Sequence, residues 1–314
     1  MTPNAEDQLN YDIYTRWRED ERVWWDRYSA VMAHQWKLTP TLNWIVRREL
    51  DRYFFSSLFH REGALLDVGC GSGWLAVKFA DKGMNVTGID FSHEQIATAE
   101  SLKRNSKRKN VHFECCDIVR WDANAHKNEY DSVFINAFLH HLHPDEIRRV
   151  IQNVSISLKP GGRLFMYEPL KTSRGRGRLP LRCIDAFFSK CVHLFFGLVP
   201  DLLGFWDSSF SKEREDGYRG LSPHEGPVEI ELIEDACRNS LNIKCVKGWH
   251  LYSLGCAMQA MLFKPKIRNA YLPLIAIFYW LDVILFRVVG WRSFSGKSRF
   301  VLCTIIMEKE HLRG

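Results

Sequence analysis

Between residues 64 and 170, short and uniformly apolar runs alternate with longer stretches in which apolar residues recur every three or four positions. The first kind of run reads as a strand buried on both faces, the second as a helix with one face on a core. Leu65, Leu66 and Val68 make the first strand and Val86 and Ile89 belong to the second, with a helix predicted over 73–81 between them. The pattern continues with a helix over 94–105, strands over 111–114 and 132–136, and a helix over 144–158. That last helix puts Ile147, Val150, Ile151, Val154 and Leu158 on one stripe and opens with Pro144 and two acids, as a helix start should. Gly161 and Gly162 are expected to turn the chain into a strand over 163–167. A helix over 228–240 and strands over 242–247 and 300–307 complete the alternation. Strands alternating with helices imply an α/β fold with a doubly wound, mostly parallel sheet.

The segment Asp67-Val68-Gly69-Cys70-Gly71-Ser72-Gly73 joins the first strand to the first helix. Glycines at alternate positions let the backbone bend close to a ligand, and the helix behind them begins with unpaired N–H groups. Asp90 ends the second strand about 20 residues on, the usual reach of a carboxylate that binds ribose hydroxyls. The order of strand, turn, helix, strand and acid is an adenosine-binding arrangement. Glycine spacing separates the adenosine cofactors. A dinucleotide fingerprint, G-x-G-x-x-G, would put its third glycine where this chain has Trp74, and the observed pattern is G-x-G-x-G.

With its leading acid, that pattern resembles the first motif of the class I methyltransferases that use S-adenosylmethionine, and Asp67 through Gly73 match it at every position. The resemblance extends through Asp117 in Glu114-Cys115-Cys116-Asp117-Ile118, through Tyr130-Asp131-Ser132-Val133 leading to Leu139-His140-His141-Leu142, and through Leu158-Lys159-Pro160-Gly161-Gly162-Arg163-Leu164. It covers about residues 60–170. The resemblance implies a seven-stranded sheet with an antiparallel last strand, and S-adenosyl-L-methionine as cofactor. It also implies site roles. Asp67 and the backbone of Gly69, Gly71 and Gly73 would hold the methionine portion, and Asp90 the ribose. Asp117 would bond the adenine amino group, with Ile118 or Phe91 against the ring, and Asn136 would stand near the methionine end.

Methyl transfer from a sulfonium asks chiefly for in-line placement, and for a general base only where the nucleophile still carries a proton. His140, His141 and Glu168 are the catalytic candidates, and His141 matches the second histidine of the family's Leu-His-His motif. Each has a structural reading beside the catalytic one: a histidine here can cap the helix that starts at Pro144, and Glu168 can anchor the loop after it. His143, His224 and Glu225 are further residues that could reach the same place. No metal is expected. The nine cysteines include no C-x-x-C pair, so neither a zinc site nor a disulfide framework is indicated, and Cys115 and Cys116 read as strand-end packing.

Three regions fall outside this pattern. Residues 1–58 are expected to form a helical cap rich in aromatic residues, among them Tyr14, Trp17, Trp24, Trp25, Tyr28 and Trp36, and the resemblance implies that this cap closes over the site. Those rings read either as packing or as a face presented to a cation. Residues 59–314 then form the methyltransferase domain, with insertions at 170–227 and 251–297. The first insertion opens with Lys171, Arg174, Arg176, Arg178 and Arg182 and continues into an amphipathic helix bearing Phe187, Phe188, Phe195 and Leu198. The second repeats the theme, with Lys264, Lys266 and Arg268 before an apolar stretch and Arg287, Arg292 and Lys297 after it. Acids and bases interrupt both, so neither reads as a membrane span. They form either a lid or a surface for a bilayer interface or lipid tail.

These observations lead to an S-adenosylmethionine-dependent methyltransferase acting on a nucleophile, preferably a hydroxyl, of a small amphiphilic or lipid-linked acceptor. A cofactor-binding assembly protein without turnover is the rival class. Nucleic-acid or protein methylation is less favoured, because the formal charge is only +6 and no recognition module stands out. The polar start of the chain shows no secretory signal. The expected location is therefore cytoplasmic, with peripheral contact to an anionic membrane on its inner face.

Overall fold

The computed structural model describes residues 15–27, 63–173, 179–206, 222–293 and 301–310. Its centre is a parallel sheet in which β1 (Ala64–Val68) pairs with β2 (Asn85–Asp90) on one side and β4 (Tyr130–Asn136) on the other. Outside these lie β3 (Val111–Cys115) and β5 (Leu158–Lys171). The terminal strand β8 (Val301–Lys309) runs antiparallel between β5 and β7 (Leu241–His250), giving the order β3-β2-β1-β4-β5-β8-β7. The antiparallel last strand is as expected.

Among the described residues the strand count is eight rather than seven, because β5 runs on past Tyr167 and pairs Leu170 and Lys171 with a two-residue strand, β6 (Val228–Glu229). Those two residues were expected to start a helix. The sheet edge takes their backbone groups instead, and the helix begins at Ile230. A second difference lies at Gly161 and Gly162. They sit inside β5, where the pairing steps from Tyr130–Leu158 to Ser132–Arg163, so the glycine pair absorbs a bulge within one long strand.

Side chains alternate across β1, and the two faces of the sheet carry separate cores. Leu66 and Val68 pack with Ile135, Val150 and Val154 on one face, while Leu65 packs with Phe79, Phe134 and Phe165 on the other. Helices cover both faces. In chain order these are α1 (15–27), α2 (Trp74–Asp81), α3 (His93–Ser106), α4 (Pro144–Ser157), α5 (Leu179–His193), α6 (Val199–Leu203), α7 (Ile230–Cys237), α8 (Ser253–Met261) and α9 (Pro265–Val288). Each large side chain that α4 buries contributes about 1.5–3 kcal/mol. His143 starts that helix in a capping box with Glu146, which assigns it a structural task.

The two insertions meet. A π-helical turn, Leu194–Leu198, joins α5 to α6, and its Phe196 packs with Tyr252, Phe263, Ile275 and Phe278 from α8, α9 and their connections. Both 183–203 and 265–288 are long and apolar enough to cross a membrane by length and composition alone, although charges interrupt each of them as expected. Asp282 on α9 is fully buried and turned inward, where its carboxylate accepts from the Leu251, Tyr252 and Ser253 N–H groups and caps α8. The outward face of α9 is thereby left apolar. Arg174, Arg176, Arg178 and Lys297 lie outside the described residues, as do Tyr14, Tyr28 and Trp36 of the expected cap.

Candidate active site

The carboxyl ends of β1, β2, β4 and β5 gather the expected residues along one edge of the sheet. Gly69, Gly71 and Gly73 all have positive φ, at 66°, 51° and 74°. Two of these positions are also closely packed: a Cβ on Gly73 would lie 2.5 Å from the Phe113 ring, and one on Gly69 would lie 2.5 Å from that of Phe138. Gly71 is different. A Cβ there would meet only Gln95 Oε1, at 3.7 Å, so this part of the turn is open.

Asp67 is almost wholly buried behind the turn, and its Oδ2 has no hydrogen-bond partner. Burial pushes its pKa up to about 7, with the neighbouring Asp90 carboxylate adding to the effect and an Ala76 N–H opposing it. Asp90 is tied to the same turn, because its Oδ2 accepts from Gly71 N at 2.9 Å and its Oδ1 from Ser92 N at 3.0 Å. Burial outweighs those two bonds and pushes its pKa up to about 6. Phe91, beside it, is half-buried, whereas Ile118 is buried in the core with Leu66 and Val68. Asn136 stands half-buried at the end of β4.

Helix α1 lies over this edge and reaches further than the sequence indicated. Arg18 pairs with Asp117 and with Glu146, while the other oxygen of Asp117 accepts from Val119 N at 3.0 Å. Both oxygens of the expected adenine-binding carboxylate are therefore engaged. Asp26 accepts from Ser92 Oγ at 2.5 Å, and Trp17 Nε1 donates to the carbonyl of His141 at 2.9 Å. Trp17 also stacks on His224, with ring centroids 4.1 Å apart, and the Trp25 ring stands edge-on to His141 at 5.3 Å.

The three catalytic candidates converge. Glu168 is fully buried: its Oε1 accepts from Phe138 N at 2.7 Å and Leu139 N at 2.9 Å, and its Oε2 lies 2.8 Å from His140 Nδ1. It shapes the Leu139–His141 turn and orients His140, so geometry makes it a positioning residue. His141 Nδ1 meets Ser222 Oγ at 2.8 Å and lies 3.3 Å from Glu21 Oε2. Burial, followed by the charge of His140, lowers its pKa, against the opposing pull of Glu21. Glu225 reaches within 3.7 Å of His140 Nε2. Sequence reasoning missed Glu21, Arg18, Asp26 and Ser222. Trp17, Glu21 and Trp25 at four-residue spacing formed a stripe that could have flagged the helix face, but nothing marked Ser222.

Comparison with known proteins matches residues 65–162 to a family model described as a methyltransferase domain. The matched stretch runs from β1 into β5 and includes the glycine turn, Asp90, Asp117 and the two histidines. Residues 65–162 therefore carry a methyltransferase domain of the class I, S-adenosylmethionine-dependent kind. A ubiquinone biosynthesis O-methyltransferase of Coxiella burnetii (strain Dugway 5J108-111) is 36% identical over 165 residues, which are 52% of this chain and 64% of that protein. One of Yersinia pestis (strain Pestoides F) is 32% identical over 145 residues, 45% of this chain and 54% of that one. The chain thus spans under two thirds of the length of these curated relatives. Among solved structures, phosphoethanolamine N-methyltransferase 2 of Haemonchus contortus is 15% identical, with TM-score 0.49 over 84% of this chain and 52% of that one. Geranyl diphosphate C-methyltransferase from Streptomyces coelicolor A3(2) is 14% identical, with TM-score 0.45 over 79% and 72%.

The residues of the methyltransferase domain fit its cofactor. An orphaned, buried carboxylate oxygen on Asp67 is a place for an ammonium group, and the open backbone at Gly71 leaves room beside it. S-Adenosylmethionine carries both an ammonium and a ribose, the latter suited to Asp90.

Proposed function

We propose that this chain moves a methyl group from S-adenosylmethionine to a hydroxyl oxygen of a small amphiphilic or lipid-linked acceptor. The observation that carries the reading is the unpartnered Asp67 Oδ2 beside an open, left-handed glycine turn. Asp67 and the turn hold the methionine end, Asp90 the ribose, and Phe91, more open than Ile118, faces the adenine. When bound, the cofactor supplies a sulfonium methyl group that accepts an oxygen lone pair while the carbon–sulfur pair leaves with sulfur. Helix α1 covers the site and excludes water, with Trp17 and Trp25 against the histidines. The O-methyltransferase names of the relatives support oxygen as the accepting atom.

The amphiphilic acceptor is supported by the apolar helices. In the 18-residue apolar windows of 183–203 and 265–288 only 11% and 22% of residues are buried, so these are not core helices. Phe187, Leu202, Ile277, Trp280 and Ile284 are exposed, beside exposed Lys190, Lys264, Lys266 and Arg287. Since α9 packs its other face on α8, this surface lies along an anionic bilayer rather than across it, each nearby base adding about 1 kcal/mol. Mass spectrometry of lipid and polar extracts from cells with and without the protein tests the reaction, with one extra methylene expected on an extractable hydroxyl compound. Flotation with anionic vesicles tests the surface. The chain should rise with them and the Trp280→Glu, Ile284→Glu variant should not; native protein that stays at the bottom removes the membrane contact.

A further inference from the structure

His140 and His141 stand on one turn with their ring centroids 4.0 Å apart, and each already has its Nδ1 engaged. Glu168 holds that of His140 and Ser222 that of His141, which leaves Nε2 of each imidazole as the free donor. One donor atom from each of His140, His141 and Glu225 lies within 4.8 Å of the other two. Ligands around an ion at about 2.1 Å stand about 3.4 Å apart in a tetrahedron, so small side-chain movements close the set. The 3.7 Å from His140 Nε2 to Glu225 Oε1 is already near that separation.

Charge points the same way. Glu21, Glu168 and Glu225 converge on these two imidazoles, which are their ion-pair partners among the described residues. Glu21 and Glu168 are almost wholly buried, and Glu21 Oε2 lacks a hydrogen-bond partner. Three carboxylates around two imidazoles leave negative charge that a dication would compensate. A hydrogen-bonded Nδ1 behind a free Nε2 is also how metal-bound histidines are held.

We infer that His140, His141 and Glu225 bind a divalent transition ion of the zinc class, with Glu168 and Ser222 positioning the two imidazoles. Two nitrogens and one carboxylate suit such an ion better than magnesium or calcium, which prefer all-oxygen sets. Three protein ligands leave a position for a further oxygen, and this step rests on the methyl-transfer reading. An acceptor hydroxyl bound there gives its proton to water and keeps the electron pair as an alkoxide. That pair then forms the bond to the methyl carbon.

The full chain, stripped with chelator and dialysed, is titrated with Co2+ with and without S-adenosylhomocysteine. One cobalt per chain is expected, with the intense visible absorption of a low-coordinate ion. The absorption should vanish in His141→Ala and Glu225→Gln, and Ser222→Ala should weaken uptake about 10- to 100-fold. A thermal shift with S-adenosylhomocysteine confirms that each variant is folded. Folded protein that takes up no cobalt, or uptake unchanged in both ligand variants, overturns the inference. Cobalt bound through these residues by a chain that ignores S-adenosylhomocysteine would keep the ion site and overturn the methyl-transfer reading instead.

Discussion

The glycine end of the site is built from one continuous stretch, residues 67–90, whereas the histidine end draws on residues 15–27, 139–141, 168 and 222–225. At the glycine end the backbone does most of the work. The turn is fixed by left-handed residues packed against Phe113 and Phe138, and Asp90 is tied to Gly71 within the same unit. At the histidine end side chains do the work, and each depends on a partner far away in sequence, as Trp17 does on His141 and Ser222 on the same ring. A site half made of backbone tolerates few residue types. A site half made of side chains can be changed one contact at a time.

The largest effects should come from the glycine turn. Gly73→Ala combines strain with a clash against Phe113 and Ala99, and should cost about 2–4 kcal/mol in urea unfolding. Gly71→Ala meets open space, so it should keep most of its stability and still lose cofactor binding; equal instability of the two variants would erase the distinction between packed and open glycines. Next comes Asp90→Ala. It removes the carboxylate that holds Gly71 N and that is proposed to bind the ribose, and calorimetry should show S-adenosylhomocysteine binding weakened about tenfold or more, whereas unchanged affinity refutes the ribose role.

Smaller still is a pH effect. Asp67 has a pKa of about 7 in the free protein, and an ammonium partner favours its ionised form. Affinity for S-adenosylhomocysteine should therefore fall as pH drops below about 7, with proton release on binding there, and Asp67→Asn should abolish that slope. For the fold alone the sign is opposite. A carboxyl group raised above its unfolded value binds its proton more tightly when native, so its contribution to stability is lost as pH rises from the ordinary carboxylate range through about 7. The most local effect belongs to the histidine end. Arg18→Ala breaks the pairs with Asp117 and Glu146 and should destabilise by about 1–3 kcal/mol, with faster hydrogen exchange confined to α1.

Sequence legibility follows the same division. The strands, the glycine turn and Asp90 could be read because local spacing dictates them, and the antiparallel last strand came with the family resemblance. Residues 228–229 could not be read as strand, because their pairing is decided by how far β5 extends. Nor could the task of Glu168. Its place at a strand end suggested a group facing substrate, and only the folded turn shows two N–H groups and an imidazole taking both oxygens. Ser222 had no local signal at all, and Glu21 only its place on a helical stripe, since the task of each lies in a histidine more than eighty positions away. Asp282 was read as an interruption of an apolar stretch, and its burial as a helix cap depends on a contact with residues 251–253.

Purified chain incubated with methyl-labelled S-adenosylmethionine and a lipid extract should move label into an organic-soluble product carrying a new oxygen–methyl bond, and Asp67→Asn, folded, should not. Label that stays in the cofactor, or that passes into protein or nucleic acid instead, would contradict the proposed transfer to a hydroxyl oxygen.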